Sequence, residues 1–425
     1  MSDSEKLQEE IKSSKVFCIL PWVHMNLLPS GKVMPCCFSD RSQPLGNVGQ
    51  STLKEIWNGK EMKALRRNML NGVPTAGCTR CYELDETGAT SYRQIQNQNY
   101  RHHLERPAKT GADGFYSNYN VPYLNLRFSN KCNLRCRSCD SDYSTGWYLD
   151  AKALGRRVPS RVITPIPKGV SLTEQLDPLL DEVEQIHFAG GEPLLLDEHY
   201  DLLSRLRAKK LFKVQLTYNT NFSKLKYKSF SVLDFWKDFE NVKVNASFDG
   251  QGPRGEYLRK GLVWEEAVAN RKLMQAEVPH VKFGLAPTLS ILNALHLPDL
   301  HREWVESGML DIENFTINPL ASPSYYRAQI LPVALKDRMR KLYEDHIESF
   351  IATRRPRNSK VEKAFKAALS FTMAKNRPDL LPAFLRVTRE IDRLRNENFI
   401  EVFPELAPLY LSLERPSVSE LSESP

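Results

Sequence analysis

The sequence lacks any apolar run near the about 20 residues that a membrane-spanning helix requires. Its first ten residues, MSDSEKLQEE, place acids where a signal peptide needs a basic stretch followed by apolar residues. Cysteine is scarce and uneven: eight in 425 residues, and none after Cys139. That is too few for a disulfide scaffold of this length. No internal repeat is present, which removes solenoids and propellers. The expectation is a soluble, cytoplasmic chain without membrane contact. An apolar fraction of 41% with 16 Tyr and 19 Phe supports at least one substantial core. Only the last ten residues, with four Ser and two Pro, are expected to fray.

The net charge of +8 is modest and scattered. Its densest basic stretch, Arg354, Arg355, Arg357, Lys360, Lys363 and Lys366, is the one segment suited to nucleic acid. A solvated helix face accounts for the same charges and is the preferred reading.

Three regions separate by pattern. The first hundred residues hold Cys18, Cys36, Cys37, Cys78 and Cys81, a turn at Pro29-Ser30-Gly31, and a helix from Ser51, its N-cap, to about Leu70. From about 120 to 350, short strands alternate with amphipathic helices. The strands are Tyr123–Phe128, Gln185–Phe188, Lys213–Thr217, Val242–Ser247, Lys282–Pro287 and Asn314–Ile317. Helices are expected between them over Glu198–Lys209, Leu262–Glu277 and Leu297–Ser307. Such alternation implies an α/β fold with parallel strands and right-handed crossovers. A doubly wound sheet and a partial TIM-like barrel both satisfy it. The remainder reads as helices over Val361–Met373 and Leu380–Asn396.

Clustered cysteines in a cytoplasmic chain point to metal. Cys132, Cys136 and Cys139 follow the first strand of the alternating region on one loop. Three thiolates at this spacing suit three irons of a cubane and leave the fourth iron open to a second molecule. Structural zinc is the competing reading, but zinc calls for a fourth nearby ligand, commonly in Cys-x2-Cys pairs.

The triplet and its place after a first strand resemble the radical S-adenosylmethionine (SAM) superfamily. Gly190-Gly191-Glu192-Pro193, after the second strand, is similar to that family's loop for the amino group of SAM. Glycines admit close backbone approach, and a carboxylate suits an ammonium. Tyr218-Asn219-Thr220-Asn221 resembles the family's polar region after the third strand, and Ser247-Phe248-Asp249-Gly250 its Ser-x-Asp-Gly. By the same resemblance Asn219, Ser247 and Asp249 join the SAM site, Arg259 pairs with the SAM carboxylate, and Asn318 lies near the adenine. A surface Arg is an equal reading of Arg259. The family's aromatic before the last cysteine is replaced by Ser138, so Phe128 or Tyr143 is the candidate aromatic for adenine packing. The resemblance covers roughly 120 to 320 and implies a partial (β/α)6 barrel.

Cys18-x12-Gly31-x4-Cys36 followed by Cys78-x2-Cys81 resembles the SPASM or twitch extension of that superfamily, here placed before the barrel instead of after it. The cysteine count implies one auxiliary [4Fe–4S] cluster on Cys18, Cys36, Cys78 and Cys81, with Cys37 spare or in place of Cys36. A four-cysteine zinc site is the alternative. The implied domains are 1–110 (auxiliary cluster), 115–355 (barrel) and 356–425 (helical extension, closing the barrel or binding a partner). The implied activity is reductive cleavage of SAM and hydrogen abstraction, oxidising or cross-linking a peptide or protein, or alternatively a small molecule. A reductant such as flavodoxin or ferredoxin would supply electrons. A non-catalytic electron carrier would not need Gly190–Pro193 or Ser247–Asp249. A zinc-stabilised nucleic-acid-binding protein remains the reading from another class.

Overall fold

The structure, a computed structural model, describes residues 13–86, 90–158, 160–165 and 170–411. The Ser- and Pro-rich C-terminus expected to fray and the acidic first ten residues lie outside the described residues. Two compact units divide the chain. The first comprises Met1–Lys131, Val162–Thr220 and Leu225–Lys243; the second comprises Cys132–Arg161, Asn221–Lys224 and Val244–Pro425.

In chain order the first strands are β1 (His24–Leu27), β2 (Lys32–Met34), β3 (Gly46–Asn47), β4 (Tyr123–Leu126), β5 (Arg135–Cys136), β6 (Gln185–Phe188) and β7 (Gln215–Thr220). They are followed by β8 (Lys226–Tyr227), β9 (Phe230–Ser231), β10 (Val242–Ala246), β11 (Arg259–Lys260), β12 (Lys282–Leu285), β13 (Thr288–Leu289) and β14 (Asn318–Pro319).

In the first unit, β1, β4, β6 and β7 lie side by side and parallel, in that order. The β1–β2 and β2–β3 pairs extend the sheet antiparallel. Gly31 makes the expected turn between β1 and β2 at φ +83°, donating to the Leu28 carbonyl at 2.9 Å. Alternation along the strands puts Leu124, Leu126, Ile186, Phe188, Leu216 and Tyr218 on one buried face. There Phe188 stacks on Tyr218 at 5.0 Å. The helix Asp197–Ala208 buries Tyr200, Leu202, Leu203 and Leu206. Removing each such side chain from water contributes about 1.5–3 kcal/mol.

The helix expected over Ser51–Leu70 is two helices, Leu53–Trp57 and Lys60–Leu70, and Thr52, not Ser51, is the N-cap. Thr52 and Glu55 form a reciprocal capping box. Asn58 ends the first helix because its side chain is committed elsewhere, donating to the Tyr116 carbonyl and accepting from Arg66. Gly59 then starts the second.

In the second unit, Phe248, Trp264, Phe283 and Trp304 form an aromatic core, with Phe283 stacked on Trp304 at 6.0 Å. The strand expected at Asn314–Ile317 is reduced to one bridge, Phe315 to Leu285, and pairing resumes only where β14 joins β13. The Asp311 side chain caps a turn through Glu313 N–H, which uses up the start of that segment. Helices Val333–His346, Lys360–Met373 and Leu381–Arg395 make the C-terminal region helical, as expected. The fold is thus mixed α/β with mainly parallel strands. Among the described residues no helix is long and apolar enough to cross a membrane.

Candidate functional site

Two cysteine constellations are described in turn. In the first unit, Cys18, Cys36, Cys78 and Cys81 line one small cavity together with Leu20, Phe38, Met69, Tyr92 and Arg93. Cys37 is exposed and is not part of that lining. Tight local turns supply the sulfurs: Cys78 ends a short 3-10 turn and Cys81 lies on the helix Thr79–Glu86. Arg93 ties the walls together, donating to the Phe17 carbonyl at 2.9 Å and pairing with Asp85.

Burial pushes the Cys18 thiol up to about 12 and the Cys78 thiol up to about 11, and each neighbouring thiol adds to the effect. Cys36 is raised well above its usual value for the same reason. Four thiolates cannot share this cavity without a cation to offset them. Among the described residues, no three cysteine sulfurs lie within 4.8 Å of one another. Tetrahedral zinc at about 2.3 Å from each sulfur needs them about 3.8 Å apart. Four cysteines around one cavity suit a group that binds each thiolate at a separate corner.

Also in the first unit, the loop after β4 carries the chain to the second constellation. Ser129 and Asn130 are buried; both bond the Ile163 carbonyl, and Asn130 accepts from Ile163 N–H. The Lys131 carbonyl, one residue before Cys132, accepts from Glu192 N–H at 2.7 Å. Gly190 and Gly191 sit at φ +75° and +31°. A Cβ on Gly191 would lie 2.3 Å from the Lys131 oxygen, so only glycine fits there. Glu192 is buried, and its Oε1 accepts from Thr220 Oγ1 at 2.6 Å and from Leu194 N–H at 3.2 Å. Pro193 opens the 3-10 turn Pro193–Leu195. Asn219 lies on the exposed side of β7. Phe128 is only 2% exposed and packs against Phe188, so it offers no face to an adenine.

In the second unit, Cys132, Cys136 and Cys139 occupy a loop whose only regular structure is the two-residue β5. That strand pairs antiparallel with β11, and Arg137 N–H donates to the Leu258 carbonyl. Donors point at the sulfurs. Cys132 Sγ accepts from Leu134 N–H at 3.5 Å and from Asn221 Nδ2 at 3.7 Å. Cys136 Sγ accepts from Arg259 Nη1 at 3.5 Å. Asn221 is itself held by Ser223 and Asn133. Burial raises the Cys136 thiol, and Arg259 opposes that rise.

Arg259 is buried and pairs with Asp249 at 2.9 Å, which keeps it cationic against the cost of its burial. Its Nε is buried with no partner among the described residues, leaving one donor for a ligand. Asp249 also accepts from Thr288 N–H, and its carbonyl accepts from Asn293. Ser247 is half-buried; Asn318 is exposed, with its N–H on the Pro287 carbonyl. Tyr143 is half-buried, and Tyr325 and Cys139 each pack against the cluster of Trp147, Val387 and Ile391.

Motif reading singled out Asn219 but passed over Thr220, Asn221, Asn293 and Thr288. It also missed the C-terminal clamp. Arg137 pairs with Asp392 at 2.5 Å and Glu397 at 2.6 Å and lies 3.7 Å over the Tyr257 ring. Asp150 bridges Arg135 and Arg395, each at 2.8 Å. Two of the six residues of the basic segment are ion-paired: Arg355 faces Asp311 and Glu313, and Lys366 pairs with Glu362.

Residues 18–82 match the SPASM family, described as an iron–sulfur cluster-binding domain. A comparison with curated protein sequences gives no match. Among solved structures the chain is similar to anSMEcpe with bound AdoMet and Cp18Cys peptide, with 19% identity and a TM-score of 0.40, covering 55% of this chain and 61% of that one. It is also similar to Streptococcus suis SuiB bound to S-adenosylmethionine, with 16% identity and a TM-score of 0.39, covering 64% and 58%. The chain thus spans about three fifths of each of these proteins.

Proposed function

We propose that the protein is a radical SAM enzyme that oxidises or cross-links a peptide or protein substrate. One cluster sits on Cys132, Cys136 and Cys139, and an auxiliary [4Fe–4S] cluster on Cys18, Cys36, Cys78 and Cys81. The observation that carries this reading is the donor set aimed at the triplet, from Asn221 to Cys132 and from Arg259 to Cys136. Donors to sulfur stabilise thiolates and tune what they bind. Three ligands on a loop without a fourth cysteine leave room for a second molecule.

When bound, the cluster and SAM supply a 5′-deoxyadenosyl radical that abstracts a hydrogen atom from the substrate. The chain's own part is positioning. The Gly190–Gly191 backbone admits the amino end of SAM, and Glu192 is fixed by Thr220. Arg259 presents its free Nε to the SAM carboxylate, and Asp249 keeps that guanidinium charged and oriented. Ser247, Asn219 and Asn318 are assigned to the ribose and adenine ends of the same ligand. The partial barrel and the order of domains belong to this reading. So do the cytoplasmic setting and a flavodoxin- or ferredoxin-like reductant.

Four auxiliary thiolates favour a fully ligated cluster that accepts the substrate electron, hence a net oxidation. By resemblance to enzymes with such extensions, a peptide or protein is preferred over a small molecule, which is the second reading. Anaerobic reconstitution with SAM and dithionite should give 5′-deoxyadenosine and about eight irons per chain. Absence of 5′-deoxyadenosine from the loaded wild-type protein would reject the proposal.

A further inference from the structure

The sheet face of the first unit opposite its apolar core is polar across five strands, and the strand registers align its side chains in rows. Asn26, Asn125, His187 and Thr217 stand next to one another on β1, β4, β6 and β7. His24, Tyr123, Gln185 and Gln215 form the neighbouring row. Arg127 follows Asn125 on the same face, two residues on. Its guanidinium donates to Asn26 Oδ1 at 2.6 Å and Asn125 Oδ1 at 2.9 Å. On β10, Lys243 alternates with the buried Val242 and Val244 and so faces the polar side. The positive charges of Arg127 and Lys243 both act on His187. No Asp or Glu occupies this face at any of these positions.

Three buried groups here lack hydrogen-bond partners among the described residues: Asn125 Nδ2, His24 Nε2 and His187 Nε2. Each unmet buried polar group costs about 1–3 kcal/mol. Burial holds His24 neutral, with its proton affinity lowered to about 3. Its Nδ1 lies 3.0 Å from the Tyr123 carbonyl, so Nδ1 carries the proton and Nε2 is an acceptor. The face therefore combines two cations and an amide donor with the His24 acceptor and a second unpartnered ring nitrogen on His187. Its histidines are neutral at pH 7 and add no charge of their own.

We propose that this face recognises a carboxylate of the substrate, bound by Arg127 and Asn125 Nδ2, with a neighbouring N–H or O–H of the substrate donating to His24 Nε2. This rests on the radical SAM reading only for calling the bound molecule a substrate. The carboxylate comes either from a small acid or from an acidic side chain in a peptide.

Binding to the reconstituted holoenzyme is measured calorimetrically under anaerobic conditions with three probes: succinate, a blocked hexapeptide with a central Glu, and its Gln counterpart. Binding of the Glu peptide but not the Gln peptide assigns a peptide source; binding of succinate alone assigns a small acid. In Asn125→Asp, nearly isosteric but negatively charged, affinity for the bound probe should fall about tenfold or more. Asn125→Leu removes the donor without adding charge and serves if the Asp variant fails to load iron. Failure of every carboxylate probe to bind at millimolar concentration overturns the proposal. Undiminished binding in both variants does so as well, since it places the anion elsewhere. Formation of 5′-deoxyadenosine by the wild type is scored separately. A protein that cleaves SAM but binds no probe rejects this inference alone, and one that binds through Asn125 but never cleaves SAM rejects the enzyme assignment.

Discussion

The clamp on the cysteine loop gives a prediction whose sign changes with the number of charges removed. Arg137, between Cys136 and Cys139, has a side chain only 1% exposed, and the Asp392 and Glu397 carboxylates are each 9% exposed. In Asp392→Asn/Glu397→Gln the guanidinium stays buried over Tyr257 without a counter-charge. Removing one side of a buried pair costs about 3–5 kcal/mol, because the remaining charge is left desolvated. For a unit of this size each kcal/mol moves Tm by about 2–4 °C, so the double variant should melt about 6–20 °C lower. Adding Arg137→Met removes the last charge of the trio, and replacing a whole buried pair by apolar groups is close to neutral. The triple variant should therefore recover most of the loss. Melting followed by circular dichroism, with iron content measured on the same anaerobic samples, checks both steps. Iron should be lost from the triplet in the double variant and regained in the triple. A double variant that melts within about 2 °C of wild type would refute the clamp. A double variant whose loss persists in the triple would instead assign it to packing and not to the buried charge.

Further outcomes follow from the same geometry. Replacing Cys78 and Cys81 by Ser should lower iron content by about half, whereas Cys37→Ser should leave it intact, because Cys37 lies outside the cavity lining. Iron analysis and visible absorbance distinguish the two. Gly191→Ala should destroy the loop after β6, since the added methyl meets the Lys131 oxygen at 2.3 Å and the residue sits at positive φ. Loss of SAM binding by equilibrium dialysis, with a lowered Tm, is the expected result. Burial lowers His199 and His346 to about 3 and His301 to about 4, so all are neutral when folded. The unfolded chain takes up their protons as pH drops below 6.5, so this stability is full above 6.5 and is lost on acidification toward 4. His199→Gln should flatten the fall in urea-unfolding free energy by about 1.4 kcal/mol per pH unit in that window. An unchanged slope would mean that His199 is protonated in the folded protein.

What the sequence made legible was whatever is encoded by spacing along the chain. Metal-ligating cysteines at fixed intervals stand out, and so does a double glycine between a strand and a turn, because both require particular residue types within a few positions. Residues chosen by the pleat were harder to read. Asn219 was the motif's obvious polar residue, yet period-two alternation turns it to the exposed side and leaves Thr220 to meet Glu192. The polar sheet face was visible in principle: Asn125 and Arg127 alternate with Leu124 and Leu126. Read alone, the apolar residues of such a strand point to a core and leave its polar face without an assigned role.

The clamp had no local signature at all, and its necessity follows from the loop it holds. The triplet loop has a two-residue strand for regular structure. Fixing each residue of such a loop costs about 1–2 kcal/mol of backbone entropy, and few hydrogen bonds of its own offset this. The compensation has to come from side chains brought in from far along the chain. Arg137 reaches Asp392 across 255 positions, Arg395 reaches Asp150 across 245, and Arg259 reaches Cys136 across 123. No pattern within the cysteine motif requires an acid or a base at those distances. A motif can thus name the atoms that bind a cluster while saying nothing about what holds them still.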